Sequence, residues 1–262
     1  MDKSTTFTMS IISSTILGSQ QVRVGAKQEI SLEIAARIDE LIRKKAGKGE
    51  EVVLGLATGS SPLLIYAELV RRHREEGLSF ANVVSFNLDE YEGLEPDHPE
   101  SYWYFMQEHL FSQVDMRPEA IHLPSDRSDD VEAVALKYEK KIAAAGGLDW
   151  QLLGIGRNGH IGFNEPGSAR ESRTRRIILN EITRSDAAPA FAGIENVPTH
   201  AVTMGVSSIL GAKEICLIAW GEAKRDIVRE AMSGPVTSAL PASFLQDHSN
   251  VKWYLDCGAA GS

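Results

Sequence analysis

The chain has 262 residues, 43% apolar and 24% charged, the balance of a globular protein and not of a disordered or fibrous one. A formal charge of −9 excludes the basic face of a general nucleic-acid binder, and no apolar run approaches bilayer length. Neither nucleic acid nor membrane is therefore expected as a partner.

Residues 1–20 read as a loosely organised extension. The apolar part at 9–17 is serine-rich and lacks a basic stretch before it, so no signal peptide is expected and the cytoplasm is the expected location. Residues 29–45 follow as an amphipathic helix, with Ile30, Leu32, Ile34, Ala35, Ile38, Leu41 and Ile42 at helical spacing. An apolar run at 51–57 has strand length and leads through a turn into a helix at 62–76, which Gly77 closes. A second strand at 83–88 precedes helices at 102–111 and 131–145. Strands at 149–155 and 214–220 come next, then a helix at 224–232 and a last strand at 251–255. This alternation predicts an α/β fold: one Rossmann-like domain at 21–257, with a parallel or mixed sheet covered by helices on both faces, and a tail at 258–262. Cys216 and Cys257 both adjoin apolar runs and read as buried thiols, not as a disulfide.

The stretch Gly154-Ile155-Gly156-Arg157-Asn158-Gly159 matches the dinucleotide fingerprint Gly-x-Gly-x-x-Gly. That fingerprint needs its third glycine to open a helix that carries the pyrophosphate. Here His160-Ile161-Gly162-Phe163-Asn164-Glu165-Pro166-Gly167 follows, and two more glycines and a proline oppose a helix. The loop instead offers an imidazole, His160, and a carboxylate, Glu165, at the end of a buried strand, where open parallel sheets place ligands. One His without a cysteine or a second helically spaced His does not read as a metal site.

Other strand ends add chemistry. Thr58, Gly59, Ser60 and Ser61 precede a helix start whose free backbone amides suit an anion. Asp89 and Glu90 leave the second strand as a candidate general base and its neighbour. Lys224 stands where it opposes the following helix's dipole, which stability alone does not recommend. Each feature is ordinary in isolation: Ser61 could simply cap the helix, and the acidic pair and Lys224 could be solvated surface. Together they read as acid–base chemistry on a small phosphorylated metabolite, with no cofactor or metal.

Several stretches carry a specific resemblance. Leu56-Ala57-Thr58-Gly59-Ser60-Ser61-Pro62, Phe86-Asn87-Leu88-Asp89-Glu90-Tyr91, His98-Pro99-Glu100-Ser101-Tyr102, the 156–166 loop, Ser172-Arg173-Thr174-Arg175 and Gly221-Glu222-Ala223-Lys224 occur in this order. The chain resembles the glucosamine-6-phosphate deaminases from about residue 22 to 255. The resemblance implies conversion of glucosamine 6-phosphate and water to fructose 6-phosphate and ammonia, without metal or organic cofactor. It further implies that His160 assists ring opening, Asp89 moves the proton between C2 and C1, and Glu165 and Asn158 orient His160. Lys224 with Thr58, Gly59, Ser60 and Ser61 would hold the phosphate. Members range from monomers to hexamers, so a homo-oligomer stays open.

Three positions depart from the family pattern. Asn158 stands where many members have Asp. Ala188 or Pro189, depending on register, replaces an Arg that usually binds the phosphate, so that Arg184 or another cation must compensate or the substrate must differ. Ile177 replaces the Lys of allosteric members, which argues against regulation by an acetylated amino sugar phosphate. Galactosamine 6-phosphate is the alternative substrate, while a 6-phosphogluconolactonase-like hydrolase and a non-catalytic sugar-phosphate-binding regulator are the alternative functions.

Overall fold

The structure, a computed structural model, describes residues 13–17, 20–125 and 130–261. In chain order the elements are β1 (Ser13–Leu17), β2 (Gln20–Val24), α1 (Lys27–Ala46), β3 (Val52–Leu56), α2 (Leu63–Glu76), β4 (Val83–Asn87), β5 (Asp89–Tyr91), α3 (Tyr102–His109), β6 (Ile121–His122) and α4 (Val131–Ala144). Then come β7 (Trp150–Leu153), β8 (Arg175–Ile178), α5 (Glu181–Ala187), β9 (His200–Thr203), α6 (Val206–Leu210), β10 (Ile215–Ala219), α7 (Arg225–Ser233), β11 (Val251–Leu255) and α8 (Cys257–Ala260).

Among the described residues the main sheet runs β1-β2-β11-β10-β7-β3-β4-β6 and is parallel except for the antiparallel β1–β2 edge. Every residue of β3, β4, β7 and β10 is buried, as expected for strands covered by helices on both faces. The helical spacing of Ile30, Ile34, Ile38 and Ile42 puts all four on one buried stripe of α1. Gly77 ends α2 in the left-handed conformation at φ 66°.

The chain builds outward from β3 to β4 and β6, then returns to place β7 on the other side of β3. The loops after β3 and β7 therefore part in opposite directions and leave a crevice at the strands' C-terminal ends, the usual ligand position in such sheets.

A second sheet, β5-β9-β8, is antiparallel and pairs Asp89 and Arg175 each with Thr203. The sequence reading did not foresee it, because strands of three and four residues are too short to show a period. Tyr91 and Ala201 of this sheet cluster with Phe163 and Phe191 in a small separate core.

The chain ends differ from expectation as well. Ser13–Leu17, expected to be loose, pairs with β2; the remainder of the expected extension, 1–12 and 18–19, lies outside the described residues. The expected tail contains most of α8, which Asp256 caps and Ala259 buries. Both cysteines are free; Cys216 is buried as expected, but Cys257 is exposed at the start of α8. Among the described residues no helix is long and apolar enough to cross a membrane.

Candidate active site

A cavity of about 560 Å³ opens at the β3/β7 crevice. Thr58, Gly59, Ser60, Ser61, Asp89, His160 and Lys224 all line it, so residues spread over 167 positions of the chain meet in one place.

Asp89 and Glu90 separate because a strand turns successive side chains to opposite faces. Asp89 enters the cavity, whereas Glu90 turns back to the start of α3. There Glu90 Oε1 accepts from the Tyr91 and Tyr102 amides at 2.8 and 3.0 Å, and Oε2 accepts from Trp103 N at 2.9 Å. Glu90 thus satisfies orphan amides at a helix N-terminus and favours its dipole. Asp89 is only 6% exposed. Burial, and secondarily the neighbouring charge of Glu90, pushes its carboxyl well above the usual carboxylate range.

The loop after β7 forms no helix. Gly159 N and Gly156 N bond back to Gly156 O and His160 O, and no helix follows before α5, so the dinucleotide motif lacks its phosphate-binding element. The imidazole of His160 lies directly across Gly156, where any side chain would collide with the ring. Its Nδ1 is 3.6 Å from Glu165 Oε2 and 3.4 Å from Thr183 Oγ1. Glu165 also accepts from Thr183 Oγ1 at 2.6 Å, Asn158 Nδ2 at 2.7 Å and Asn180 N at 3.2 Å. Burial raises the Glu165 carboxyl, but hydrogen bonds from His160, Thr183 and Asn158 outweigh it and hold the group below the usual range.

Asn158 acts one step further from the imidazole than the sequence implied. Its Oδ1 accepts the His160 backbone amide at 3.3 Å, and its Nδ2 donates to Glu165. A carboxylate at 158 could not make that donation, which gives the amide a physical reason to be there.

The loop is fastened to the second sheet. Phe163 N donates to Thr203 Oγ1 at 3.0 Å, and Asn164 Nδ2 donates to Ile161 O and Met204 O, both at 2.8 Å. Arg175 in turn donates to Asn164 Oδ1 at 2.9 Å. Gly162, at φ 56°, passes so close that an added Cβ would stand 3.1 Å from Thr203 Oγ1 and 3.4 Å from Asp89 Oδ2.

In the 58–61 part of the wall, α2 begins at Leu63 with no side-chain cap, contrary to the possibility that Ser61 fills that role. Such a helix start can offer its first amides to an anion, although Ile65 N already bonds to Pro62 O at 2.9 Å. Pro62 is the N-cap residue itself, one position earlier than the sequence suggested. Trp220 Nε1 holds Ser61 O at 3.1 Å, which fixes the loop. Lys224 sits at the N-cap of α7 and donates to Ile155 O at 2.7 Å. Burial pushes its ammonium below the usual lysine range, with Asp186 opposing and Arg157 adding to the effect. Among the described residues no group of three or more His, Cys, Asp and Glu side chains could hold a metal ion.

The family model described as glucosamine-6-phosphate isomerases/6-phosphogluconolactonase matches residues 25–253. The chain belongs to this family. It is similar to a glucosamine-6-phosphate deaminase of Bacillus velezensis, 47% identical over 89% of this chain and 95% of that one. Glucosamine-6-phosphate deaminase 1 of Giardia intestinalis is 45% identical over 91% and 88% of the two chains. A solved structure of a monomeric glucosamine-6-phosphate deaminase superposes with a TM-score of 0.88 at 42% identity, covering 92% of this chain and 98% of that one. The 6-phosphogluconolactonase of Trypanosoma brucei, at 22% identity and a TM-score of 0.73, shares the fold.

Within this family fold, sequence reasoning missed Thr183 and gave no role to Asn164 or Arg175, though both stand in the segments that carry the resemblance. Thr183 is buried in the cavity wall on α5, where only its place after the Asn180 cap marks it. Arg184, considered as a compensating cation, does not line the cavity: it donates to Ile194 O at 2.7 Å and Val197 O at 3.1 Å.

Proposed function

We propose that this protein is an amino-sugar-phosphate deaminase-isomerase that converts glucosamine 6-phosphate and water to fructose 6-phosphate and ammonia. The observation that carries the reading is the shared cavity, whose wall holds a buried carboxylate, Asp89, an imidazole, His160, the 58–61 loop and a lysine, Lys224. The reaction needs a base over C2, an acid–base group beside the ring oxygen, and a grip on the phosphate that holds both in register.

His160 is the group that passes a proton to and from the ring oxygen as the pyranose opens. Glu165, itself held by Asn158 and Thr183, fixes the imidazole's direction. Asp89, with its affinity for protons raised by burial, takes the C2 proton and returns it at C1. The open-chain amino aldose thereby becomes an imine at C2; water adds to that carbon, and loss of ammonia from the resulting carbinolamine leaves the ketose. Lys224 and the 58–61 loop bind the phosphate and carry no proton. Sugar phosphates are intracellular metabolites and both cysteines are free, so the reading includes a cytoplasmic role in amino-sugar breakdown.

The test is ammonia release from glucosamine 6-phosphate and galactosamine 6-phosphate, measured side by side with the purified protein. Release from the gluco sugar supports the proposal, and release from the galacto sugar alone would change the epimer. Absence of release from both, with tight sugar-phosphate binding, would replace an enzyme with a binding regulator.

A further inference from the structure

The cavity's phosphate end poses a charge problem. Among the described residues Lys224 is the cationic side chain in its wall, and Asp186, a carboxylate, lies in the same wall. A carboxylate beside an anion site weakens it unless something neutralises the carboxylate. Arg157 does so: its Nε approaches Asp186 Oδ2 at 2.9 Å and a terminal nitrogen approaches Oδ1 at 2.5 Å. The pair is solvent-exposed, with 54% and 43% of the two side chains accessible, so a fold-stabilising role for it is small.

Arg157 is not itself in the cavity wall, but it joins two residues that are, pairing with Asp186 and following Gly156 directly in the chain. Ile155, whose carbonyl holds the Lys224 ammonium, lies two residues before it, so both cations hang on the loop that follows β7. Lys224 senses the charges of both Asp186 and Arg157. The other nearby arginines are committed elsewhere: Arg184 to the Ile194 and Val197 carbonyls, and Arg175 to Asn164 and Ser168.

We propose that Arg157 is a ligand of the substrate's phosphate, held in the free protein by Asp186, which acts as a built-in competitor for the guanidinium. The proposal rests on the reading of the cavity as a sugar-phosphate site and supplies the cation that Ala188 and Pro189 cannot. A guanidinium fork binds two oxygens of a carboxylate or of a phosphate in the same way, and the doubly charged phosphate is the stronger partner. Asp186 then tunes affinity downward and discriminates against weaker, singly charged anions that cannot displace it.

The experiment uses the full chain with Arg157→Gln and Asp186→Asn, reading KM and kcat for the amino sugar phosphate and the inhibition constant of inorganic phosphate. Arg157→Gln raises KM and the phosphate inhibition constant about tenfold or more, with a smaller fall in kcat. Asp186→Asn shifts both constants the other way, severalfold downward. Both shifts shrink as salt rises. The opposite signs are the decisive readout, because both substitutions break the same ion pair. A clamp that merely holds the loop to α5 would give shifts in the same direction, and that result overturns the proposal. So does an unchanged inhibition constant in Arg157→Gln. Failure of the wild-type protein to release ammonia would defeat the functional reading alone; inorganic phosphate binding to wild type and Arg157→Gln, followed by calorimetry, still decides the role of Arg157.

Discussion

Gly156→Ala is the substitution that most directly tests how the site is assembled. Gly156 has no left-handed backbone to lose, so alanine is compatible with its conformation. A methyl there would nevertheless stand inside 3.0 Å of imidazole atoms Cε1, Nδ1 and Nε2 of His160. The methyl would stand 2.3 Å from Cε1, and non-bonded carbon atoms rest at about 3.5 Å, so the ring must retreat by ~1 Å. A misplacement of ~1 Å costs on the order of 100-fold in rate, which puts the expected loss in kcat at about 10- to 100-fold. Thermal stability should hold, since replacing a compatible glycine adds roughly 0.4–1 kcal/mol through the unfolded chain and offsets part of the local crowding. The assay is ammonia release together with a melting curve. A double-mutant cycle completes it: in the His160→Ala background Gly156→Ala should have no further effect on kcat. A Gly156→Ala protein that keeps a third or more of wild-type kcat would refute the idea that this glycine exists to seat the imidazole.

Other outcomes follow from the same geometry. Asp89→Asn should lower kcat by about 10²- to 10⁴-fold, the usual worth of a general base. The same variant should gain stability as pH rises. A carboxyl with a raised folded-state pKa contributes stability that is complete below its unfolded value, about 3.9, and is lost as pH climbs through the folded value; the amide escapes that loss. A melting-temperature gap that stays flat between pH 4 and 8 would contradict the buried-carboxylate account. By the same linkage the acidic limb of the kcat/KM profile should lie above the ordinary carboxylate range. Glu165→Gln works in the other direction: the lowered pKa of Glu165 contributes stability above its unfolded value and loses it as pH falls through the folded one, so the variant's deficit should close in acid. Trp220→Phe removes the 3.1 Å hydrogen bond to Ser61 O, worth ~1 kcal/mol, and should raise KM about fivefold with little change in Tm.

How far the sequence carried depended on the length of each signal. The runs Val-Val-Leu-Gly-Leu at 52–56 and Ile-Cys-Leu-Ile-Ala at 215–219 carry no polar side chain because both faces are covered, and 83–87 departs from this only at Ser85 and Asn87; all three were legible as buried strands. Asp89, His160, Glu165, Lys224 and the 58–61 loop were legible because they stand at the ends of those strands or in the motif that follows one. The second sheet was not, because β8 pairs with β9 across more than twenty residues and neither has enough length to show alternation. With it went Thr203, whose hydroxyl and backbone join the His loop to the Asp89 strand. The opposite fates of Asp89 and Glu90 were recoverable in principle, since strand alternation separates neighbours. The destination of Glu90 was not, because it depends on where α3 begins in space.

Leu88 is the one residue between β4, in the large sheet, and β5, in the small one, and its backbone bonds to Leu56 O on one side and to Met204 N on the other. The molecule therefore works as a caliper. The 58–61 loop and Lys224 follow strands of the large sheet, while Asp89 lies in the small sheet and Phe163 is fastened to it through Thr203, so a single covalent step links the two sets of residues. Under the proposed function a sugar phosphate would be measured between its phosphorus and its C2 carbon, and a shorter one would reach either set of residues but not both. Chain length of the ligand is thus read by the spacing of two layers, independently of which hydroxyls it carries.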